Sequence, residues 1–205
     1  MSETSPEYIL ERMSHPLIDE LSEHLTPRAI SLKKGDFLFQ QGQSVKYIYY
    51  LLQGRITLNR STIEGAKVIL HVALAGDTLA EASLFSEQYH CSAKVDATAK
   101  LIGFKKSEVL QYLDSSPQFM KQLLAILASQ VRELRSLNEI KNIRSAQERI
   151  LAYIRIENRI NIENLSLKDI AYKIGLTHET FYRELRKLEK SGQISRSDSM
   201  IKLII

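Results

Sequence analysis

Residues 166–188 read SLKDIAYKIGLTHETFYRELRKL. Ser166 and Asp169 stand at N-cap and N3 of a short helix that runs through Ile174. Gly175 supplies a turn, and Thr177 is placed to cap a second helix that extends to about Lys190. On that helix Phe181, Leu185 and Leu188 recur at i, i+4 and i+7 and share one face, while Ala171 on the first helix is small where another helix must approach. His178, Glu179, Tyr182, Arg183 and Arg186 fall on the opposite face. Arginine donates bidentately to guanine and glutamate accepts from the cytosine amino group, so this face carries groups that read base edges. The helix–glycine turn–helix setting points to DNA reading, with Thr177 at the start of the reading helix. A solvated amphipathic face with an i, i+4 pair between Glu179 and Arg183 is the plainer alternative. Gln193 to Ile205 then reads as a β-hairpin wing, with Ser197-Asp198 at its tip and Met200–Ile205 as the returning strand.

Working towards the N-terminus, Ser145-Ala146-Gln147-Glu148 is a capping box that opens a helix carrying Ile150, Leu151 and Ile154. Before it, residues 116–141 contain no glycine and one proline, Pro117, which suits a first helical turn. Leu124, Leu127, Val131, Leu134 and Asn138 step by 3, 4, 3 and 4, a heptad seam flanked by Arg132, Glu133, Arg135 and Glu139. Two arrangements fit that stripe. One is a homodimer helix with Asn138 fixing its register; the other is a helix packed on its own chain. A boundary is expected near Asn142. No Gly/Ser/Pro linker marks it, so the connection is a helix-to-helix hinge.

From Ile30 to about Phe104 the pattern is β-rich. Short runs (37–39, 47–52, 56–58, 68–74, 93–95, 101–104) alternate with turn residues. Gly35, Gly42, Gly54, Gly65 and Gly76 recur at intervals of 7, 12, 11 and 11, the beat of a small β-barrel or sandwich. Residues 6–27, with Ile9, Leu10, Met13, Leu17, Leu21 and Leu25, fit one or two short helices.

Composition sets the outer limits. In 205 residues, 44% are hydrophobic, which supports a real core. No apolar run approaches the ~18–20 residues needed to span a bilayer. The polar, acidic start does not read as a secretory signal, and no membrane partner is expected. The single cysteine, Cys91, precludes an intramolecular disulfide and any cluster held by several thiolates of one chain. A cytoplasmic location is expected. The five histidines (His15, His24, His71, His90, His178) contain no His-x-His pair, which argues against a metal-dependent enzyme on a β-barrel. No catalytic residue and no metal site are expected. Charge is unevenly placed: residues 1–141 carry 16 basic and 16 acidic side chains, and residues 142–205 carry 12 and 8. The whole net charge of +4 therefore lies in the C-terminal segment, which suits a polyanionic partner.

Gly54-Arg55-Ile56, Ala75-Gly76-Asp77, Glu81-Ala82-Ser83-Leu84-Phe85 and Gly175-Leu176-Thr177-His178-Glu179-Thr180 together give the chain a resemblance, over nearly its whole length, to the catabolite activator/fumarate–nitrate regulator family of bacterial transcription factors. The resemblance implies an α+β chain in three parts. These are an N-terminal β-roll of the cyclic-nucleotide-binding, jelly-roll type over 1–115, a long dimerisation helix over 116–141, and a C-terminal winged helix-turn-helix over 142–205. It implies a homodimer on a palindromic site in double-stranded DNA, with an effector in the roll and RNA polymerase as a further partner. No motif here marks the polymerase contact. Glu179 and Arg183 match the family's base-reading pair. His178 stands where the catabolite activator has a second base-reading Arg, and Tyr182 where the oxygen-sensing branch has a Ser, so the preferred half-site should differ from both.

The implied effector pocket departs from the family. Its cyclic-nucleotide binders place Gly-Glu before Leu-Phe and Arg-Ser-Ala ten residues after the Glu. This chain has Ala80-Glu81 and Cys91-Ser92-Ala93. Glu81 can still meet a ribose hydroxyl, but Cys91 removes the bidentate partner of the cyclic phosphate. Leu134 and Arg135 stand where the family's adenine-contacting hydroxyls would be. Cyclic AMP is therefore not the expected effector, and neither effector nor cofactor is identified. Two alternatives remain: a redox-, metal- or haem-responsive regulator acting through Cys91 and His90, or a cyclic-nucleotide-binding-like module that regulates protein partners without DNA. The plainer reading of Cys91 is a small buried core residue, with His90 facing solvent from the adjacent position.

Overall fold

The computed structural model describes residues 15–62, 65–162 and 166–204. The chain divides into two compact units, one ending at Leu127 and the other beginning at Ala128. The division falls within the long helix expected over 116–141.

The first unit opens with helix α1 (Pro16–His24), which starts at a proline and buries Leu17, Ile18 and Leu21. Ile9, Leu10 and Met13, the other apolar positions expected in this helical region, lie outside the described residues. Strands β1 (Arg28–Leu32), β2 (Phe37–Phe39), β3 (Tyr47–Ser61), β4 (Lys67–Leu74), β5 (Thr78–Leu79) and β6 (Ser92–Lys105) follow. They form one antiparallel sheet in the order β1–β6–β3–β4, with β2 also paired to β6 and β5 to β3. A short 3₁₀ turn, Glu81–Ser83, lies between β5 and β6.

The runs expected at 47–52 and 56–58 are one strand, and so are those at 93–95 and 101–104. Gly54 explains why β3 looked broken. It has φ +107°, and a Cβ there would lie 2.5 Å from the Thr98 carbonyl oxygen and 2.7 Å from Ala99 Cα. The register between β3 and β6 shifts three times between Leu51 and Ile56. Gly54 thus serves a bulge with close backbone approach and not a hairpin turn. Alternation along β3 then feeds two cores. Tyr49 and Leu51 join Phe39, Leu79, Tyr89, Cys91 and Leu101 inside the roll. Ile48, Tyr50 and Leu52 join α1, helix α2 (Lys106–Ser115) and the start of helix α3 (Pro117–Asn142), through Leu21, Val109, Phe119 and Leu123. β1, β5 and α2 had no counterpart in the sequence reading, because none carries a long enough periodic pattern.

In the second unit, Leu137 and Ile140 at the end of α3 pack with helix α4 (Ala146–Glu157), helix α5 (Leu167–Lys173) and helix α6 (His178–Lys190). A three-stranded sheet completes it: β7 (Ile160–Asn161), β8 (Ile194–Arg196) and β9 (Met200–Leu203) in the order β7–β9–β8. The core is one cluster built from Ile150, Ile154, Ile170, Phe181, Leu185, Leu188, Ile194 and Ile201, each 1% exposed or less. β7 was not foreseen. The returning strand of the hairpin ends at Leu203, and Ile205 lies outside the described residues.

Candidate nucleic-acid interface

The three caps inferred from sequence are formed. Ser145 Oγ accepts from Glu148 N, Ser166 and Asp169 make a reciprocal capping box, and Thr177 Oγ1 accepts from Thr180 N at 3.2 Å. Each satisfies backbone N–H groups that a helix start leaves without partners. Between α5 and α6, Gly175 takes φ +69°, and Leu176 N donates to Ala171 O at 2.9 Å. Arg149 of α4 ties this turn down, donating from Nη1 to Gly175 O at 3.0 Å and from Nε to Ile143 O.

α6 leaves this turn strongly two-sided. Phe181, Leu185 and Leu188 are buried, whereas Thr177, His178, Glu179, Arg183 and Arg186 are exposed and Tyr182 is half-buried. The structure therefore brings all six predicted residues to one helix start and one helix face. The His178 and Tyr182 rings meet edge-on, with centroids 4.4 Å apart.

Arg183 is engaged differently from the i, i+4 pair with Glu179 considered above. Its Nε donates to Glu184 Oε1 at 2.8 Å. Glu184 is only 7% exposed and also accepts from Lys187 Nζ at 3.1 Å and, through Oε2, from Gln147 Nε2 at 3.0 Å. The bonds from Arg183, Lys187 and Gln147 hold its carboxyl down at about 2. Glu184 is not among the residues expected from sequence. The signal was present: 181, 184, 185 and 188 make one helical stripe, and an acid within it needs partners. The arrangement fixes the base of the Arg183 guanidinium and leaves its outer nitrogens on the exposed face.

The implied effector residues come from both compact units. Glu81, Cys91 and Ser92 belong to the first compact unit, while Leu134 and Arg135 belong to the second. Cys91 is 2% exposed within the roll core, and burial pushes its thiol up. His90 is exposed at the neighbouring position; its Nδ1 lies 3.1 Å from Ser83 Oγ, and burial and then the nearby Arg60 push it down. Ser92 Oγ accepts from Gln41 N at 3.0 Å. His71 pairs with Asp77 at 3.6 Å. Among the described residues no group of three or more His, Cys, Asp or Glu side chains could hold a metal ion.

On α3, Leu124, Val131 and Leu134 of the heptad seam are 59%, 45% and 66% exposed, and Asn138 is exposed. Leu127 departs from the seam by packing partly against the first unit's core. The helix carries a second, buried apolar series, with Phe119 and Leu123 in one unit and Leu137 and Ile140 in the other. Packing on its own chain therefore does not consume the seam.

A model of the cyclic nucleotide-binding domain matches residues 29–116. Electron transport regulator A of Shewanella oneidensis is 23% identical over 187 residues, covering 86% of this chain and 73% of that protein. The fumarate and nitrate reduction regulatory protein of Escherichia coli K12 is 23% identical over 188 residues, covering 87% and 75%. The solved structure of FixK2 from Bradyrhizobium japonicum shares the fold, with a TM-score of 0.69, 21% identity and coverage of 88% of this chain and 94% of that one. With the roll, the long helix and the helix–turn–helix–hairpin unit all in place, the chain contains a cyclic nucleotide-binding domain and is similar over most of its length to regulators of the catabolite activator/fumarate–nitrate regulator family.

Proposed function

We propose that the protein is a homodimeric, sequence-specific DNA-binding regulator that catalyses no reaction and acts in the cytoplasm. α5, the Gly175 turn and α6 serve as a helix-turn-helix, with the β8–β9 hairpin as its wing. One observation carries this reading: α6 buries Phe181, Leu185 and Leu188 and presents His178, Glu179, Tyr182, Arg183 and Arg186 together on its other face. Glu179 and Arg183 are assigned to one G·C pair, the Arg donating to guanine and the Glu accepting from cytosine. The exposed seam of α3 joins two copies, so that two α6 helices read half-sites about one helical turn apart, roughly 34–36 Å. RNA polymerase is the further partner this role requires.

Cyclic AMP is not the effector in this reading. The position that should present a guanidinium to the cyclic phosphate holds a buried thiol, which can neither neutralise nor bidentately bind it. Selection from random duplex DNA, with reduced, metal-free, ligand-free protein at fixed salt, tests the proposal. A palindromic consensus is expected. Binding that depends only on salt, with no consensus, would overturn it.

A further inference from the structure

A guanidinium from a different strand lies beside position 91. Arg60, near the end of β3, donates from Nε to the backbone oxygen of His90 at 3.0 Å, immediately before Cys91. It makes no ion pair among the described residues. Arg60 and His90 line an open recess of about 430 Å³ together with Gln41, Gly42, Gln88 and Tyr89.

The hydrogen bonds already made around this recess determine what remains for a ligand. Arg60 uses Nε, leaving its two Nη groups as donors. Gln41 Oε1 accepts from Ser61 N at 3.3 Å, so its amide nitrogen is the end still available. His90 Nδ1 is held at 3.1 Å by the hydroxyl of Ser83, which is 1% exposed, leaving Nε2 as the open ring nitrogen. With Ser83 donating to Nδ1, these are four donor groups on three side chains, one of the three cationic, which suits the three or four oxygens and the higher charge of a phosphate group.

We infer that this recess binds the phosphate group of a small molecule, with Arg60 as its principal cation and His90 and Gln41 as additional donors. The site uses a strand residue and the outward-facing His90, where the family's nucleotide pocket would use an inward-facing residue at position 91. The inference does not depend on DNA recognition. Free phosphate and a phosphate monoester share the chemistry, and the test separates them.

The full-length chain is titrated with inorganic phosphate, glycerol phosphate and acetate at matched ionic strength, following the His90 ring proton by NMR, assigned with His90→Gln. Saturable shifts with both phosphates and none with acetate are expected. Tighter binding of glycerol phosphate identifies an esterified metabolite, and equal or weaker binding identifies free phosphate. Arg60→Gln, a change at an exposed side chain, should weaken phosphate binding by about tenfold or more, as expected for loss of a charge-assisted bond, with the far-UV circular dichroism retained. Absence of a saturable shift at tens of millimolar phosphate, equal binding of acetate, or unchanged affinity in folded Arg60→Gln would each overturn the inference.

Discussion

Glu184 occupies a position where the helix stripe asks for an apolar side chain, and it is accommodated by three donors from two helices. Its folded carboxyl titrates at about 2, below the ordinary carboxylate value, so its stabilising contribution is complete above that ordinary value. As pH falls from the ordinary carboxylate range through about 2, that contribution is lost. Glu184→Gln should therefore be less stable than the parent near pH 6, with the gap closing towards pH 2. Denaturant titrations across that range measure it, and a constant gap would contradict the assignment. Arg183→Ala should cost on the order of 1–3 kcal/mol of discrimination at one base position, read from binding to single-base operator variants. Cys91 presents the opposite case. A buried thiol pushed above its usual value carries little thiolate and reacts slowly with oxidants. Mild peroxide should leave DNA binding unchanged in both parent and Cys91→Ser; a loss confined to the parent would restore the redox alternative.

At the scale of elements, the caps at Ser145, Ser166 and Thr177 and the stripe on α6 were legible because each is set by residues three or four apart. The long helix was legible for the same reason. In sequence β3 presents itself as two runs because a glycine does not announce whether it turns the chain or lets a neighbouring strand approach. Only the pairing with β6 distinguishes them, and that contact is remote in sequence. Similarly, Arg60 could not be linked to the effector question from sequence. It lies 30 positions from the His90 carbonyl it binds. Gly54→Ala tests the strand reading directly. The added Cβ would meet the Thr98 carbonyl oxygen at 2.5 Å in a backbone conformation that disfavours side chains. A loss of roughly 1–3 kcal/mol or more in roll stability is expected, measured by thermal denaturation. A simple hairpin turn without that contact would tolerate alanine better.

For the whole molecule, the proposed role needs two copies because one α6 would read only a half-site. The net positive charge sits in residues 142–205, which supplies non-specific attraction to phosphate but no sequence choice. Sequence choice over a palindrome comes from holding two readers at a fixed spacing, and the exposed α3 seam is the surface assigned to that task in the proposed dimer. Leu134 and Val131 are 66% and 45% exposed, so charging them removes little from the fold of a single chain. It would place like charges directly across a two-fold seam, where each a- or d-type position meets its own copy. Val131→Asp with Leu134→Asp should therefore sediment as a folded monomer where the parent sediments as a dimer. Its affinity for the full palindrome should fall towards that for an isolated half-site. A double variant that remains dimeric would move the interface away from α3; one that is monomeric yet still binds the palindrome at full affinity would sever dimerisation from recognition.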